Sequence, residues 1–440
     1  MVLRVLPAAG HLGASGAVQH GAAHARKLAL LDVDEPRRES LVPIPSFLPS
    51  LLLRLRVLRR REDVHLAAAL VQAAAWICFS AWVQLYLLPN ARWACAWAVV
   101  HAVVTFLVFG GRFILAMHYA AHVRLTPWAE VNAIPTAVMS IFWGLPVGMY
   151  HMHHTCMHHL EENVYPYDLS STMPYQRDSI LDFIIYVHRF LCHSYFHLIY
   201  YAFRKRGVPA AAQLVTFLVG GIWLQMLAYT WHPPFFFTFV LVPTVLGSFG
   251  MMLGNFSQHI FVDAERYASA YGMTVTMLRA PANPIVFNDG YHANHHVNSM
   301  VHWSELPSRF ADAVQTFADE DALVFDGLNF DDLGVAAMTG DLRRLASRCV
   351  QLREPFVPEE QVVEKLRRLL RPVAVPPTEE DRAFTAVHVA NELFYLVSAA
   401  CGYPVGYVAL ILTLIARGID VVRLACPALR RPPAQKSKAN

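Results

Sequence analysis

The sequence predicts an all-α integral membrane protein, with four transmembrane helices arranged as two hairpins beneath a cytosolic cap. The chain of 440 residues has a mean hydropathy of +0.34 and only 16% charged residues. Such a balance is typical of a chain whose core lies in lipid. Its apolar residues also fall into runs of about twenty, the length that a helix needs to cross a hydrocarbon core.

The first predicted hairpin consists of Val64 to Leu88 and Ala94 to Leu115, joined by a short turn. The turn holds one basic residue, Arg92, whereas the segment before the hairpin is strongly basic. That segment contains Arg54, Arg56, Arg59, Arg60 and Arg61. Because positive charge is retained on the cytosolic side of a membrane, the N-terminus is predicted to be cytosolic.

The second predicted hairpin consists of Pro209 to Tyr229 and Phe235 to Leu253. Two other segments are apolar but are predicted not to span. A crossing by Val131 to Tyr150 would place the histidines before and after it on opposite sides of the membrane. Ile180 to Phe203 carries too many polar residues for a span facing lipid, and is predicted to be an amphipathic surface helix.

The predicted domain organisation has five parts. These are an N-terminal tail without regular structure (1–50), a membrane domain (51–307), a cytosolic helical extension (308–382), a C-terminal hydrophobic hairpin or interfacial segment (383–418) and a basic cytosolic tail (419–440). Glycines and prolines interrupt the C-terminal apolar segment, and the arginines after it favour a cytosolic end. The odd number of scattered cysteines predicts no disulfide framework, and a net charge of +3 gives no reason to expect a nucleic-acid partner.

Half of the 22 histidines occur in short clusters just beyond apolar runs. They are His118, His122, His151, His153, His154, His158, His159, His259, His292, His295 and His296. Imidazole is the commonest metal-ligating side chain, so the clusters predict a metal site. In a helix, residues four apart share a face, which pairs His118 with His122 and leaves the third cluster with one ring offset enough to serve a second ion.

The middle cluster is less regular. His154 and His158 would share one face of an α-helix, with His159 rotated by about 100° and with His151 or His153 as alternative ligands. The clusters hold more histidines than one tetrahedral ion needs, which favours two ions. Neutral nitrogen donors suit zinc, copper, iron or nickel. Iron is preferred, because a site at the membrane surface can meet an apolar substrate and electrons, and inert C–H bonds require oxygen chemistry at a cofactor.

These clusters resemble the three histidine boxes of the membrane fatty-acid desaturase family, over about residues 60–307. The boxes are His118 to His122, His154 to His159 and His292 to His296. Asn255 and His259 match an NxxxH spacing found in acyl-CoA desaturases of the family, where the histidine ligates iron and the asparagine binds through water. The resemblance implies two iron ions (Fe2+/Fe3+) and no catalytic residue beyond their ligands. The implied ligands are His118, His122, His154, His158, His159, Asn255, His259, His292, His295 and His296.

The resemblance implies a membrane lipid desaturase that uses dioxygen and two electrons to place a double bond in an acyl or sphingoid chain. The chain lacks the HPGG motif of a fused haem domain, which implies a separate electron donor, either cytochrome b5 or, in a plastid, ferredoxin. The last five residues, Lys436 to Asn440, resemble a dilysine signal and favour the endoplasmic reticulum membrane. The acid-free first 31 residues keep a plastid membrane as an alternative.

Two alternative functions fit the same residues. One is a di-iron lipid hydroxylase or ketolase on the same scaffold. The other, from a different class, is a histidine-rich metal transporter, although transport sites usually lie near the middle of the membrane.

Overall fold

The structure, a computed structural model, describes residues 20–88, 90–374 and 379–425. Its α-helices are α1 (Ala22–Val33), α2 (Leu48–Arg54), α3 (Asp63–Trp82), α4 (Ala91–Val104), α5 (Gly111–His122), α6 (Ala129–Ala137), α7 (His159–Glu161), α8 (Ile180–Arg206), α9 (Val208–Trp231), α10 (Pro233–Phe236), α11 (Val242–Gln258), α12 (Ala270–Met273), α13 (His292–Val297), α14 (Leu306–Asp319), α15 (Phe330–Met338), α16 (Leu342–Ala346), α17 (Glu359–Leu369), α18 (Glu379–Ala400) and α19 (Pro404–Ala425). Two short strands, β1 (Thr276–Leu278) and β2 (Val324–Asp326), pair in parallel.

Irregular helical turns connect several of these helices. The π-helical segments are Val83–Leu87, Thr105–Gly110, His151–His158 and Phe237–Leu241. The 3₁₀ turns are Met139–Trp143, Asp289–Tyr291 and Trp303–Glu305. Single π-turns inside α-helices are often found at functional sites, and one of these segments carries the middle histidine cluster.

Six helical segments of the described residues are long and apolar enough to cross a membrane. They are Asp63–Leu87, Arg92–His122, Val208–Trp231, Pro233–Gln258, Glu379–Ala400 and Pro404–Arg423. The first four coincide with the four predicted spans to within a few residues at most ends. The second extends beyond its predicted end as far as His122, so the helix itself carries the first histidine pair.

The C-terminal apolar segment differs from its prediction. It was expected over residues 383–418 as a re-entrant or surface hairpin, whereas it forms a hairpin of two helices, α18 and α19, each of span length. Four predicted spans thus become six candidates. The first helix escaped prediction because it contains His388, Asn391 and Glu392, which are directed towards α8. The basic tail predicted from residue 419 is helical to Ala425, and residues 426–440, including Lys436 to Asn440, lie outside the described residues.

The two apolar segments predicted not to span do not form span-length apolar helices. Residues 129–143 form α6 and a 3₁₀ turn, with Pro135 inside α6. Helix α8 is continuous, and it is absent from the six candidates. It is nevertheless more enclosed than the predicted surface helix, because it packs against α9 and α11 on one side and against the α18–α19 hairpin on the other.

Part of the predicted N-terminal tail is ordered. Residues 22–33 form α1, which packs against α14 through buried Ala25, Leu28 and Ala29. These three residues place a small apolar face on one side of the helix, so the segment has a hydrophobic reason to fold. The expectation of an unstructured tail is wrong for this stretch, and residues 1–19 lie outside the described residues.

The helical extension predicted over residues 308–382 packs on the ends of the candidate spanning helices. Helix α15 packs closely on α11, where a Cβ added to Gly334 would lie 2.3 Å from Oγ of Ser257. The pairing of β1 with β2 ties the segment before the third histidine cluster to the extension. The extension therefore fixes the positions of the two segments that follow the fourth span.

Candidate metal centre

Four segments bring the clustered histidines to one place at the ends of the spanning helices. His118 and His122 lie on the last turns of α5, and the middle cluster lies on the π-helical segment that leads into α7. His259 directly follows α11, and the third cluster forms α13. The helix ends thus present imidazoles from all four segments to a common interior.

The first histidine group contains His118, His122, His154 and His295, with one nitrogen of each lying within 4.8 Å of the others. Nε2 of His118 lies 2.8 Å from Nε2 of His295, and Nε2 of His122 lies 2.9 Å from Nε2 of His154. His159 joins them, since its Nε2 lies 3.2 Å from that of His154 and 3.1 Å from that of His295. Adjacent ligands of one ion, each about 2.0–2.1 Å from it, are separated by about 3 Å.

The second histidine group contains His158, His259, His292 and His296, and one nitrogen of each again lies within 4.8 Å of the others. The ring centroid of His158 lies 5.0 Å from those of His259 and His296. That of His292 lies 4.8 Å from His296 and 5.2 Å from His259. All four side chains are buried. The structure therefore offers two adjacent nitrogen cages.

The middle and third clusters each contribute to both groups. In the third, His292 and His296 serve the second group and His295 the first, which agrees with the offset expected from helical spacing. In the middle cluster, His154 and His158 serve different groups, contrary to the shared face expected of an α-helix. The reason is the π-helical geometry of residues 151–158, which brings residues five apart together. His154 and His159 accordingly meet, with ring centroids 4.7 Å apart.

Three other predicted or alternative ligands are placed outside the two groups. His151 is exposed and its Nε2 lies 3.7 Å from Sγ of Cys156. His153 is buried, with Nε2 3.1 Å from Oγ of Ser170. Asn255 lies at the wall of an adjoining cavity, where its amide nitrogen donates to the carbonyl of Ser170 (3.2 Å) and to the hydroxyl of Tyr186 (2.7 Å). Within the middle cluster, His154, His158 and His159 thus lie at the two groups, and His151 and His153 do not.

The chemistry of the two groups fits a pair of cations. Burial, reinforced by neighbouring imidazoles, lowers the pKa of His154, His159, His292, His295 and His296 well below the usual value. The same causes lower the pKa of His259 to about 3. Nε2 of His154, His159 and His295 each lies within 3.2 Å of two other Nε2 atoms, and an imidazole nitrogen carries only one proton or one lone pair, so hydrogen bonds alone cannot satisfy these contacts.

Several buried imidazole nitrogens also have no hydrogen-bond partner among the described residues. They are Nδ1 of His122, His159 and His295, Nε2 of His259, and both nitrogens of His292 and His296. Buried polar atoms are normally partnered, and each exception requires an explanation such as an ion. Bound metal ions would account for those nitrogens that face the group interiors.

Asp168 was missed by the sequence reasoning. Its Oδ2 lies 2.8 Å from Nδ1 of His158, and both side chains are buried. Burial raises the pKa of the Asp168 carboxyl, but the His158 ring and the hydrogen bonds from His158 and Ser170 outweigh it and leave the pKa below its usual range. A carboxylate that accepts the Nδ1 proton fixes the ring and leaves Nε2 as the metal-binding atom.

Two further carboxyl groups support the third cluster. Asp289 lies three residues before His292 at the cavity wall, and its Oδ2 accepts a hydrogen bond of 2.7 Å from Gln258. Burial raises the pKa of Asp289 to about 7. Asp32 of α1 accepts a hydrogen bond of 2.6 Å from the hydroxyl of Tyr291, the residue immediately before the cluster. The ordered N-terminal helix therefore braces the metal centre.

A cavity of about 590 Å³ opens beside both histidine groups. It is bordered by His118 and His154 of the first group and by His158 and His292 of the second. Away from the histidines its wall is mainly apolar and rich in glycine: Ala102, Val103, Phe106, Leu107, Gly110, Gly111, Ile114, Leu115, Leu246, Gly247, Gly250, Met251, Met252, Gly254 and Phe330. The cavity therefore leads from an apolar space between the second and fourth spans to the metal centre.

A second histidine-rich cluster joins α8 to the C-terminal hairpin. We call it the histidine seam: His188, His193, His197, His388 and Glu392. His188, His193 and Glu392 are close enough to be considered as ligands. At least one polar atom of each, however, has a protein partner: Nε2 of His188 lies 3.1 Å from Oγ1 of Thr413, and Nε2 of His193 lies 3.2 Å from Oε1 of Glu392, to which Arg417 also donates at 2.7 Å. Nδ1 of His193 is buried without a partner among the described residues.

Taken together, the fold and the site define a multi-pass membrane protein with a histidine-rich metal site. A comparison with protein families matches the fatty acid desaturase model to residues 91–327, more than half of the chain. The chain therefore belongs to the fatty acid desaturase family, which is a family of oxidoreductases. A comparison with curated proteins finds no match.

Proposed function

We propose that the protein is a membrane lipid desaturase that introduces a double bond into an acyl or sphingoid chain at a centre of two iron ions. The observation that carries this proposal is the apolar cavity whose wall includes histidines of both groups. Its volume of about 590 Å³ is within the range of about 300–1,000 Å³ common for small-molecule sites. A lipid chain lying in it would pass directly beside the metal centre.

The proposed reaction balances with one external source of electrons. Two C–H bonds of adjacent methylenes supply two electrons and two protons, and the donor supplies two electrons with two protons from solvent. Together they reduce one dioxygen to two waters and leave one C=C bond. When bound, the irons supply the dioxygen chemistry that protein side chains lack.

The chain's own residues have positioning roles in this proposal. The first iron would be held by His118, His122, His154, His159 and His295, and the second by His158, His259, His292 and His296, with Asn255 through water. Because Tyr186 and Ser170 hold the Asn255 amide nitrogen, its amide oxygen is the atom left to accept from a water. The glycines of α11 give a lipid chain room against the helix, since a Cβ added at Gly250 or Gly254 would meet nothing within 4 Å.

The proposed setting is the endoplasmic reticulum membrane, with cytochrome b5 as electron donor; ferredoxin would take that role in a plastid membrane. This part rests on the dilysine-like Lys436 to Asn440. Fluorescence localisation of the full chain tests it, with Lys436→Ala and Lys438→Ala as the paired change. Plastid fluorescence in a photosynthetic host would contradict it.

Expression in a desaturase-deficient cell, followed by profiling of acyl and sphingoid chains, tests the function. We expect new double bonds and no ¹⁸O in the product when ¹⁸O₂ is supplied. Labelled oxygen in the lipid would instead identify a hydroxylase or ketolase. Unchanged double-bond content in every lipid class would contradict the proposal.

A cavity variant ties that activity to the structure. Gly250→Leu would fill the cavity and shift the products to shorter chains or to another bond position. Gly220→Leu is a matched control, because Gly220 also lies within a spanning helix with nothing within 4 Å of a new Cβ, and it does not line this cavity. Equal product profiles for the two variants would argue that the lipid chain lies elsewhere.

A further inference from the structure

We infer that a basic cavity bordered by His122, distinct from the apolar cavity, is the docking site of an acidic electron-donating protein. The cavity has a volume of about 450 Å³ and is lined by Arg59, Arg60, His122, Val123, Arg124 and Met300. The inference rests on the proposed function, since only a reaction that consumes external electrons needs such a partner.

Three segments that are distant in sequence build this cavity. Arg59 and Arg60 precede the first span, Arg124 follows the second span, and Met300 follows the third histidine cluster. The positive-inside argument places the first of these on the cytosolic side, and two crossings return the second to it. The cavity thus faces the compartment in which a soluble donor domain would be found.

The charge of the cavity suits an acidic partner. Arg59 and Arg124 are exposed and form no ion pair with the described residues, while Arg60 is paired with Glu305. Met300, which is 66% exposed, adds an apolar surface to the cavity. Complementary charge around a small apolar contact is suited to a brief encounter, in which steering and orientation matter more than affinity.

His122 connects this cavity to the metal centre. Its Nε2 faces Nε2 of His154 inside the first group, whereas its Nδ1 is buried and has no hydrogen-bond partner among the described residues. Metal-ligating histidines almost always donate their second N–H to an oxygen, as His158 does to Asp168. The described residues supply no such acceptor for His122, so a bound water would take that role.

The two cavities border different histidines. The apolar cavity reaches His118, His154, His158 and His292, and the basic cavity reaches His122. Substrate and donor would then approach the first group from different directions and would not compete. The donor would deliver two electrons one at a time, with His122 as the ligand that faces it.

Binding of the soluble domain of cytochrome b5, and separately of ferredoxin, to the full-length metal-loaded protein in nanodiscs tests the inference. For whichever donor binds the wild type, we expect the double variant Arg59→Glu and Arg124→Glu to raise the Kd about ten-fold or more at low salt. The Kd of the variant should also depend less on salt than that of the wild type. Arg353→Glu, at an exposed arginine that does not line the cavity, should leave the Kd unchanged. The neutral pair Arg59→Gln and Arg124→Gln should give an intermediate Kd. It is the control for misfolding caused by the charge-reversing substitutions.

Turnover with a chemical reductant separates this inference from the proposed function. Variants that keep dithionite-driven desaturation but lose donor affinity support the docking site. Unchanged donor affinity in both arginine pairs, or no donor binding by the wild type, would overturn it. A raised KM for the lipid with unchanged donor Kd would also overturn it and assign the arginines to a phosphate-bearing headgroup. If the wild type does not desaturate lipid with dithionite, that result would contradict the proposed function and not the docking site alone.

Discussion

The candidate metal centre and the histidine seam are both buried clusters of histidines, yet their polar atoms meet different partners. In the metal centre, imidazole nitrogens face other imidazole nitrogens at 2.8–3.2 Å. In the seam, Nε2 of His188, His193 and His197 faces oxygen atoms of Thr413, Glu392 and Tyr167. Nε2 of His154, His159 and His295 each meets two other imidazole nitrogens, and one nitrogen cannot satisfy both by hydrogen bonding, which favours a cation between them. The Nε2 atoms of the seam each face an oxygen that can accept their proton.

The hydrogen bonds of the seam also determine which nitrogens carry protons. Thr413 donates its hydroxyl to the carbonyl of Ala409 (2.9 Å), so Nε2 of His188 must donate to Thr413. His197 donates from Nε2 to the carbonyl of Tyr167 and accepts at Nδ1 from Nε2 of His388, 3.0 Å away. The histidine seam is therefore a polar contact that holds the C-terminal hairpin against α8.

The largest expected difference is in metal content. His295→Ala should lower the bound metal and reduce desaturation at least about 100-fold, beyond the 10–100-fold typical of losing an outer partner. His193→Ala should leave the metal content at the wild-type value, because its Nε2 contacts a carboxylate already paired with Arg417. Metal analysis of the purified proteins compares the metal content of each variant with that of the wild type. Loss of one ion per chain in His193→Ala would make the seam a third metal site.

A matched pair of carboxylates gives the next largest effect, because each region has one that accepts from a histidine. Asp168→Asn should reduce metal affinity or activity by about 10–100-fold, since the ring of His158 loses its orienting acceptor. Glu392→Gln should change neither, although it alters the contact to His193. Metal competition with a chelator measures the affinity. Equal affinities for the wild type and Asp168→Asn would mean that packing alone orients His158.

The difference between the two regions also explains what the sequence could predict. His118 with His122, and His292 with His296, follow from α-helical spacing, which is a local property. The assignment of His154 and His158 to separate groups depends on a π-helical turn, for which spacing gives no signal. Asp289 lies three residues before His292, so helical spacing could have predicted that the two side chains are neighbours.

Other features depend on distant parts of the chain and could not be predicted from local patterns. Asp168 approaches His158 through a loop, and Asp32 reaches Tyr291 across more than half of the sequence. The four predicted spans followed from hydropathy alone. Helix α18 was not predicted, because its polar residues lower its hydropathy and their contacts to α8 are visible only in the structure.

A smaller effect is expected from the seam itself. Thr413→Val removes the acceptor of His188 and should destabilise the hairpin by about 1–3 kcal/mol, the cost of leaving one buried donor unpaired. Thr216→Val is the control, since Thr216 makes the same hydroxyl bond to the carbonyl four residues earlier (2.9 Å) but is exposed. Thermal unfolding in nanodiscs measures both. Equal shifts would show that the His188 contact contributes nothing measurable.

The pH dependence of the seam should be smaller still near neutrality and should grow in acid. Burial, and then the neighbouring His193, lowers the pKa of His188 to about 4, against about 6.5 in an unfolded chain. Between these values the unfolded chain binds a proton that the folded protein does not, so stability falls as the pH falls below about 6.5. At pH 5 the loss is about 2 kcal/mol, at 1.36 kcal/mol per pH unit.

His188→Gln isolates this contribution from the other groups that titrate in acid, because glutamine keeps an N–H for Thr413 and carries no titrating group. The wild type should lose more stability than the variant between pH 7 and pH 5, and the two should respond alike between pH 7 and pH 8. The difference in stability is measured by following unfolding through the protease cleavage of the α18–α19 hairpin. Parallel curves throughout would mean that His188 takes up its proton in the folded protein at the same pH as in the unfolded chain, with Nδ1 as a second donor below about pH 6.5. A partner for that charge must then be found between α8 and the hairpin.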